Sequence, residues 1–274
     1  LSSAASDVYK RQEEGSDAWF AHDTEYFLPE GFKCPHCGSA KGFDKEKDIM
    51  DVWFDSGSSH AAVCARRKYL KVPADVYLEG ADQYRGWFQS SLLTSVAGGH
   101  GAPYKQIITH GWTVDGEGKK MSKSLGNGIA PQEIISKYGA DILRLWVASA
   151  DYHADIRISP EILKQISDNY RKLRNTARYC LSNLYDFDPD KDMVSNNELE
   201  ELDKYALMKL DEVIKIARDA FEVYDYHTAS HSLHNFCVVE MSNFYFDVLK
   251  DRLYTSAPQS KTRRAAQTLS LIHI

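Results

Sequence analysis

The residues with the clearest chemical potential form one loop, in which lysines and hydroxyl side chains stand between glycines. The loop runs Asp115-Gly116-Glu117-Gly118-Lys119-Lys120-Met121-Ser122-Lys123-Ser124-Leu125-Gly126-Asn127. Ammonium groups with neighbouring hydroxyls and free backbone amides suit a polyphosphate ligand. A solvated surface loop can have the same composition, so the choice depends on the pattern and on the segments around it.

The flanking segments predict a strand before the loop and a helix after it. Residues 107–114 are rich in β-branched and aromatic side chains, which favours a strand. Pro131 opens a predicted helix over 131–138, and Gly139 follows its end. The loop would then lie at the carboxyl end of a strand, where open α/β sheets bind their ligands.

The same alternation runs through residues 51–150 and predicts a parallel sheet. Short strands are predicted at 52–54 and 76–78, and helices at 85–96 and 141–149. Polar clusters follow three predicted strand ends, at 55–59, 79–83 and 115–124. Because the carboxyl ends of parallel strands share one edge, we expect these clusters to converge on one site.

From Ser159 onward the pattern is wholly helical. Ser159 is a candidate N-cap, and Pro160 occupies the first helical position. Apolar residues then recur at gaps of three and four, at Ile162, Ile166, Tyr170, Leu173, Ala177, Leu181 and Leu184. Further helices are predicted over about 198–223 and 226–250, so residues 159–267 predict an antiparallel helical bundle. The basic stripe on another face of the first helix is either a nucleic-acid contact or a solvated face; it contains Arg171, Arg174 and Arg178.

Size and composition are those of a globular protein of about two domains. The chain has 274 residues, 43% of them hydrophobic, and a net charge of −6. No apolar run approaches membrane-spanning length, so we expect a cytoplasmic protein with no membrane association. The negative net charge does not exclude nucleic acid, since binding needs only a local basic face.

Residues 13–50 are polar and irregular and contain half of a possible zinc site. Cys34 and Cys37 have the spacing of a zinc knuckle, but the sequence has no second Cys-x-x-Cys pair. Zinc is therefore expected only if further ligands come from a longer protein. The terminal residues 1–12 and 268–274 match no adjoining pattern and resemble translated sequencing-adapter peptides, so we expect non-native tails there.

The loop fits one of two nucleotide-binding patterns. A P-loop needs lysine directly after its second glycine, whereas Glu117 follows Gly116, which excludes a Walker A loop. The run Lys120-Met121-Ser122-Lys123-Ser124 instead resembles the second ATP-binding signature of class I aminoacyl-tRNA synthetases. Five specified residues in the expected strand–loop–helix setting make this resemblance specific.

Four neighbouring segments resemble the bacterial type of isoleucyl-tRNA synthetase; they are 51–57, 78–88, 139–146 and 170–176. The resemblance runs from about residue 13 to 267. It implies an α/β fold: the C-terminal half of a Rossmann-like nucleotide-binding domain at 51–158, then a truncated all-α anticodon-binding bundle at 159–267. Residues 13–50 would be the connective segment after an editing insertion. Valyl-tRNA synthetases share this plan and remain an alternative, although we expect them to differ at 51–57 and 78–88.

The resemblance also implies the chemistry. ATP, with Mg²⁺, would activate L-isoleucine to isoleucyl-adenylate, and the acyl group would pass to isoleucine tRNA, in a protein that is monomeric when full-length. Residues 120–124 would be catalytic, with Lys123 and Lys120 binding ATP. The positions implied on the adenylate are Glu79, Gly80, Asp82 and Gln83, and those beside the isoleucine side chain are Trp53 and Trp87. The basic stripe of the bundle would then contact the tRNA backbone.

Purely structural roles remain as alternatives at these positions. Glu79 is also placed to cap the following helix, and the two tryptophans are compatible with ordinary core packing. The His-x-Gly-His signature of class I synthetases is absent from this sequence. We therefore expect half an active site, an inactive chain, and loop lysines without partners. A non-catalytic RNA-binding adapter is the alternative of another class, but the intact runs at 79–87 and 120–124 favour an enzyme.

Overall fold

The structure, a computed structural model, describes residues 6–122 and 124–273. It divides into two compact units. The first contains the residues up to Val72 together with Gly86–Pro103, and the second contains Pro73–Arg85 and the residues from Tyr104 onward. None of the described helices is both long and apolar enough to cross a membrane.

The first unit is built from short helices. They are α1 (Ser6–Glu14), α2 (Ala18–Ala21), α3 (Thr24–Phe27), α4 (Val52–Gly57), α5 (Ser59–Ala62) and α6 (Trp87–Ala97). The strand predicted at 52–54 is wrong, because the side chain of Asp51 accepts a hydrogen bond from the Trp53 amide at 2.8 Å and starts α4. Three apolar residues are too few for their period to separate a strand from a helix. The helix predicted at 85–96 is confirmed as α6.

The second unit begins with two parallel strands, β1 (Ala74–Gly80) and β2 (Tyr104–His110), in which Gly80 lies opposite His110. The chain passes from β1 through α6 to β2, the crossover that parallel strands require. The predicted parallel sheet is confirmed. The single strand predicted at 107–114 is divided, since β3 (Thr113–Val114) pairs in parallel with β4 (Ile156–Arg157) in a separate sheet.

The break between β2 and β3 lies at Gly111. A Cβ atom at this position would lie 2.4 Å from the carbonyl oxygen of Ala154. The Gly111 amide also donates to the Tyr152 carbonyl at 2.9 Å. Only glycine allows the two backbones to approach this closely, so the chain leaves one sheet and joins the other here.

The two helices after the loop are confirmed as α7 (Pro131–Tyr138) and α8 (Ala140–Ser149). Together with the start of α9 (Pro160–Ser182) they enclose a small core of Ile134, Ile142, Trp146, Ile158 and Leu163. The predicted N-cap is also confirmed, since the Ser159 hydroxyl accepts from the Ile162 amide at 3.3 Å. The contacts of this core cross residue 158, where the nucleotide-binding domain was predicted to end, and continue into α9.

The predicted helical bundle is confirmed. After α9 come α10 (Pro189–Asp192), α11 (Glu201–Glu222), α12 (Tyr226–Asn235), α13 (Phe246–Thr255) and α14 (Lys261–His273), and a π-helical segment, Phe236–Tyr245, joins α12 to α13. The best-buried apolar side chains of its core include Ala206, Met241, Tyr245, Leu249 and Leu269. Residues from α11, the π-helical segment, α13 and α14 thus share one interior.

The buried face of α9 departs from the predicted stripe in its second half. Ala177 and Leu181 are exposed, whereas Thr176, Cys180 and Asn183 are buried. The hydroxyl of Thr176 lies 3.2 Å from that of Ser242 in the π-helical segment. Because internal hydrogen bonds satisfy them, polar side chains occupy core positions that a hydrophobic pattern assigns elsewhere.

Both terminal segments contain helix in the described residues. Residues 6–12 lie in α1, and residues 268–273 continue α14, where Leu269 and Ser270 are fully buried. These last residues pack inside the bundle, although they match no adjoining sequence pattern, because Leu269 continues the apolar face formed by Ala265 and Ala266. The non-native origin of the two tails stays a prediction.

Candidate functional site

The loop after β3 is closed by two side chains at its ends, Asp115 and Asn127, which we call the loop clamp. Asp115 accepts hydrogen bonds from the Lys119 amide at 2.8 Å and from the Asn127 side-chain amide at 2.9 Å. Asn127 also donates to the Lys120 carbonyl at 3.3 Å, and its own oxygen accepts from the Ser122 amide at 3.0 Å. These bonds link the two ends of the loop to each other and to the backbone at residues 119, 120 and 122.

The clamp also lowers the pKa of Asp115. The main cause is the hydrogen bond from Asn127, followed by the bond from the Lys119 amide. Hydrogen bonds to the ionised form favour it, so Asp115 is a carboxylate acceptor at neutral pH. Within the loop, the hydroxyls of Ser122 and Ser124 lie 3.1 Å apart, and Ser122 also accepts from the Leu125 amide at 3.2 Å.

Met121 anchors the loop on its inner side. Its side chain is half-buried and packs against the core formed by α7, α8 and α9. Its neighbour Lys120 is exposed. The apolar residue of the signature therefore fixes the loop to the protein, while Lys120 beside it faces solvent.

The loop lysines have different surroundings. The Lys119 ammonium lies 2.7 Å from the carboxylate of Glu117. That of Lys120 lies 4.9 Å from the centre of the Trp112 ring. The expectation that the lysines have no partners is wrong for these two, because a carboxylate and an aromatic ring lie within reach. Lys123 lies outside the described residues.

The residues predicted to bind the adenylate lie at the end of β1. A Cβ atom on Gly80 would lie 2.6 Å from Oδ1 of Asp82 and 3.7 Å from the ring of His110, so glycine leaves room for the carboxylate. Gln83 donates to the other oxygen of Asp82 at 3.2 Å. Glu79 is exposed on the strand itself. The helix-cap interpretation of Glu79 is wrong, since the residue before α6 is Gly86 and no side chain caps that helix.

Trp53 and Trp87 belong to the first unit, on α4 and α6. The indole N–H of Trp87 donates to the Ser56 carbonyl at 3.0 Å. Trp53 is 47% exposed, which argues against the core-packing alternative for this residue. Residues 55–59 span the end of α4 and the start of α5 and follow no strand, so the strand-end argument that grouped them with 79–83 and 115–124 does not hold.

The cysteine pair forms a tight backbone turn. The Cys34 amide donates to the Ser39 carbonyl at 2.8 Å, and the Gly38 amide donates to the Cys34 carbonyl at 2.8 Å. Over residues 6–122 and 124–273, no three His, Cys, Asp or Glu side chains gather in a way that could hold a metal ion. The Cys-x-x-Cys spacing of Cys34 and Cys37 matches two ligands of a structural zinc site, and the described residues bring no third ligand to them.

The basic stripe lies on the exposed face of α9, where Arg171, Arg174 and Arg178 follow one another at about one turn. Arg171 also pairs with Asp168 at 2.8 Å. Arg174 and Arg178 therefore carry the clearer positive charge of the three. The geometry suits a phosphate backbone and a solvated face equally.

Three residues around the loop have roles that the sequence pattern did not predict, namely Trp112, Asp115 and Asn127. A signal for the clamp was present, because aspartate and asparagine at the ends of glycine-containing loops commonly bond to nearby backbone amides. Trp112 gave no such signal, since its position over Lys120 depends on the break at Gly111.

Two family models match the chain. One, for class I tRNA synthetases (I, L, M and V), matches residues 2–159. The other, for the anticodon-binding domain of tRNA ligase, matches residues 203–273. The first match contains the loop and the strands before it, and the second lies within the helical bundle.

Curated relatives are isoleucine–tRNA ligases. That of Caldanaerobacter subterraneus subsp. tengcongensis is 63% identical over 257 residues, which cover 94% of this chain and 27% of the relative. That of Natranaerobius thermophilus is 59% identical over 266 residues, which cover 97% of this chain and 28% of the relative. The chain therefore spans little more than a quarter of the length of these relatives.

Solved structures share the fold at low sequence identity. LeuRS of Agrobacterium radiobacter K84, in a ternary complex with tRNA and LeuAMS, has a TM-score of 0.66 at 20% identity, over 88% of this chain and 30% of that one. Methionyl-tRNA synthetase of Mycobacterium tuberculosis, in complex with methionyl-adenylate, has a TM-score of 0.57 at 24% identity, over 72% and 38%. Both likenesses concern the fold alone.

Proposed function

The chain belongs to the class I tRNA synthetases, and on that premise we propose that its whole protein activates L-isoleucine with ATP and transfers it to isoleucine tRNA. The observation that carries this proposal is the intact run at 120–124, set in a loop that the clamp and Met121 hold in place. We propose isoleucine and not valine as the amino acid because relatives 63% and 59% identical are isoleucine–tRNA ligases.

In the first step, the isoleucine carboxylate attacks the α-phosphate of ATP, forming isoleucyl-adenylate and releasing pyrophosphate. In the second, the terminal ribose hydroxyl of the tRNA attacks the acyl carbon and releases AMP. The first step requires alignment and neutralisation of charge, with no protein nucleophile. Lys123 and Lys120 provide the positive charge beside the leaving pyrophosphate, and Ser122 and Ser124 provide hydroxyl donors. Mg²⁺ bound with ATP supplies further positive charge.

The strand-end cluster is proposed to hold the adenylate. Glu79 is an exposed carboxylate and suits the substrate ammonium or a ribose hydroxyl. The close fit of Gly80 to Asp82, and the bond from Gln83 to the same carboxylate, support an ordered polar surface there. Trp53 and Trp87 are proposed as apolar walls for the isoleucine side chain.

The expected result for the whole protein is exchange of pyrophosphate into ATP that depends on isoleucine. Exchange that is more efficient with valine than with isoleucine would favour a valyl enzyme. Binding of tRNA without exchange for any amino acid would favour the adapter. The 274-residue chain alone is expected to give no exchange, and exchange by it would contradict the idea of half a site.

We propose further that Cys34 and Cys37 supply two of four zinc ligands in the whole protein, which acts as a cytoplasmic monomer. Metal analysis is expected to give one zinc at this knuckle, lost when both cysteines are replaced by serine. Cys64→Ser, outside the knuckle, is the matched control and should retain the metal. A whole protein that retains the same zinc content without Cys34 and Cys37 would refute the assignment.

The basic stripe is proposed to contact the tRNA backbone. Replacing Arg174 and Arg178 by glutamate should weaken tRNA binding and flatten its salt dependence, because fewer counterions are released on binding. The slope of log K against log salt should change by about 0.7–0.9 for each lost phosphate contact. Fluorescence titration at several salt concentrations measures both effects.

Lys250→Glu is the control, because it also reverses a charge but lies on α13 and pairs with Asp247 at 2.6 Å. It should leave the slope of the titration unchanged. An unchanged slope in the arginine variants as well would return the stripe to the solvated-face interpretation.

A further inference from the structure

Trp112 is a large aromatic residue held at the surface by a fixed backbone. Its amide donates to Oδ1 of Asp155 at 2.8 Å, and its carbonyl accepts from the Ile156 amide at 2.8 Å. The side chain is nevertheless 51% exposed. Core packing therefore does not account for it, whereas the ammonium of Lys120, 4.9 Å from the ring centre, is a direct partner.

The backbone that carries the Trp112 ring is held by the bundle as well as by the second sheet. The preceding residue, Gly111, donates to the carbonyl of Tyr152 at 2.9 Å. The hydroxyl of Tyr152 in turn donates to the carbonyl of Tyr224, in the turn between α11 and α12, at 2.8 Å. The backbone position of Trp112 is thus set by the second sheet and by the bundle, independently of the loop that its ring touches.

The backbone of Lys120 is fixed as well. Lys120 pairs with Val114 in an antiparallel bridge, and its carbonyl accepts from Asn127 at 3.3 Å. What remains free is the side chain, which has four rotatable bonds and is exposed. Contact with the indole face restricts those torsions, since a cation is attracted to the aromatic quadrupole.

We propose that Trp112 is a positioning residue that preorganises the ammonium of Lys120 beside β3 before ATP binds. The inference deepens the proposed function and rests on it. Trp112 acts through Lys120 and makes no contact with the nucleotide itself. Without the ring, the lysine must be immobilised when ATP binds, which weakens binding by about 2- to 10-fold for one long side chain.

The expected result in the whole protein is a higher KM for ATP in Trp112→Leu, by about 2- to 10-fold, with a smaller change in kcat. Isoleucine-dependent pyrophosphate exchange measures both constants. Trp112→Phe keeps an aromatic face and should restore most of the wild-type KM. A ring that competes with the phosphates for Lys120 would instead lower KM on removal, so a lower or unchanged KM overturns the inference.

A double-mutant cycle separates positioning from a general structural effect. In a Lys120→Met background, Trp112→Leu should have little further effect on KM. In a Lys119→Met background it should have its full effect, because Lys119 pairs with Glu117 and not with the ring. Equal effects in both backgrounds would overturn the inference.

A spectroscopic test distinguishes failure of this inference from failure of the proposed function. In the 274-residue chain without nucleotide, the Lys120 side-chain methylene protons next to the ammonium should show an upfield ring-current shift by NMR, assigned with Lys120→Arg. The shift should disappear in Trp112→Leu and persist in Trp112→Phe. Its absence overturns the inference even if exchange is normal. A whole protein without isoleucine-dependent exchange refutes the proposed function, while the shift still tests the contact.

Discussion

Alanine at Lys123 should lower the rate of isoleucyl-adenylate formation in the whole protein by about 10²–10³, the usual loss when one preorganised donor to a developing charge is removed. The residues on either side of Lys123 are tied together, since the hydroxyls of Ser122 and Ser124 lie 3.1 Å apart. The clamp fixes the Ser122 amide, and Met121 fixes the inner side of the loop. Single-turnover measurement of adenylate formation gives the rate directly.

Lys119→Ala is the matched control for this prediction. Lys119 belongs to the same loop and carries the same charge, but its ammonium pairs with Glu117 at 2.7 Å. Its removal should leave the rate close to that of the wild type. If the two variants lose activity equally, the loop acts through its total charge and the assignment of Lys123 is wrong. An unchanged rate in Lys123→Ala would exclude a transition-state contact from this residue.

The loop was predictable because its information is local. The signature run and the segments on either side of it are adjacent in sequence, so the pattern could be recognised without knowledge of distant contacts. The helix predicted from Pro131 onward was confirmed as α7. The clamp is also local in sequence, yet it depends on which polar groups Asp115 and Asn127 reach once the loop closes. That closure follows from the bridge between Val114 and Lys120, which no side-chain pattern encodes.

The incorrect predictions of secondary structure and of the buried face of α9 have long-range causes. The strand expected across 107–114 divides because β3 pairs with β4, more than 40 residues later in the chain. The face of α9 shifts because Thr176 meets Ser242, which lies in a different helical segment. Period and composition describe the residues of one segment, whereas both outcomes depend on which partner the segment meets.

Replacing Asp203 by alanine should lower the free energy of unfolding of the bundle by about 3–5 kcal/mol, as is usual when one partner of a buried ion pair is removed. Asp203 is fully buried on α11. It accepts two hydrogen bonds from the guanidinium of Arg252, at 2.8 and 2.9 Å, and one from the hydroxyl of Tyr245 at 2.7 Å. It also completes the capping box that begins α11 at Glu200. Alanine would leave the Tyr245 hydroxyl and the Nη2 of Arg252 without this buried acceptor, and urea unfolding followed by helical circular dichroism measures the loss.

The size of the effect depends on burial and not on charge alone, and a second pair in the same bundle tests this distinction. Asp247 and Lys250 form an ion pair at 2.6 Å on α13, but their side chains are 65% and 54% exposed. Water competes for an exposed pair and salt screens it, so Asp247→Ala should change the unfolding midpoint little. Arg252 retains its contact with Glu200 at 3.0 Å in the Asp203 variant, which keeps part of its charge compensated. If Asp203→Ala proves no more destabilising than Asp247→Ala, the carboxylate of Asp203 does not organise the junction of α11 and α13.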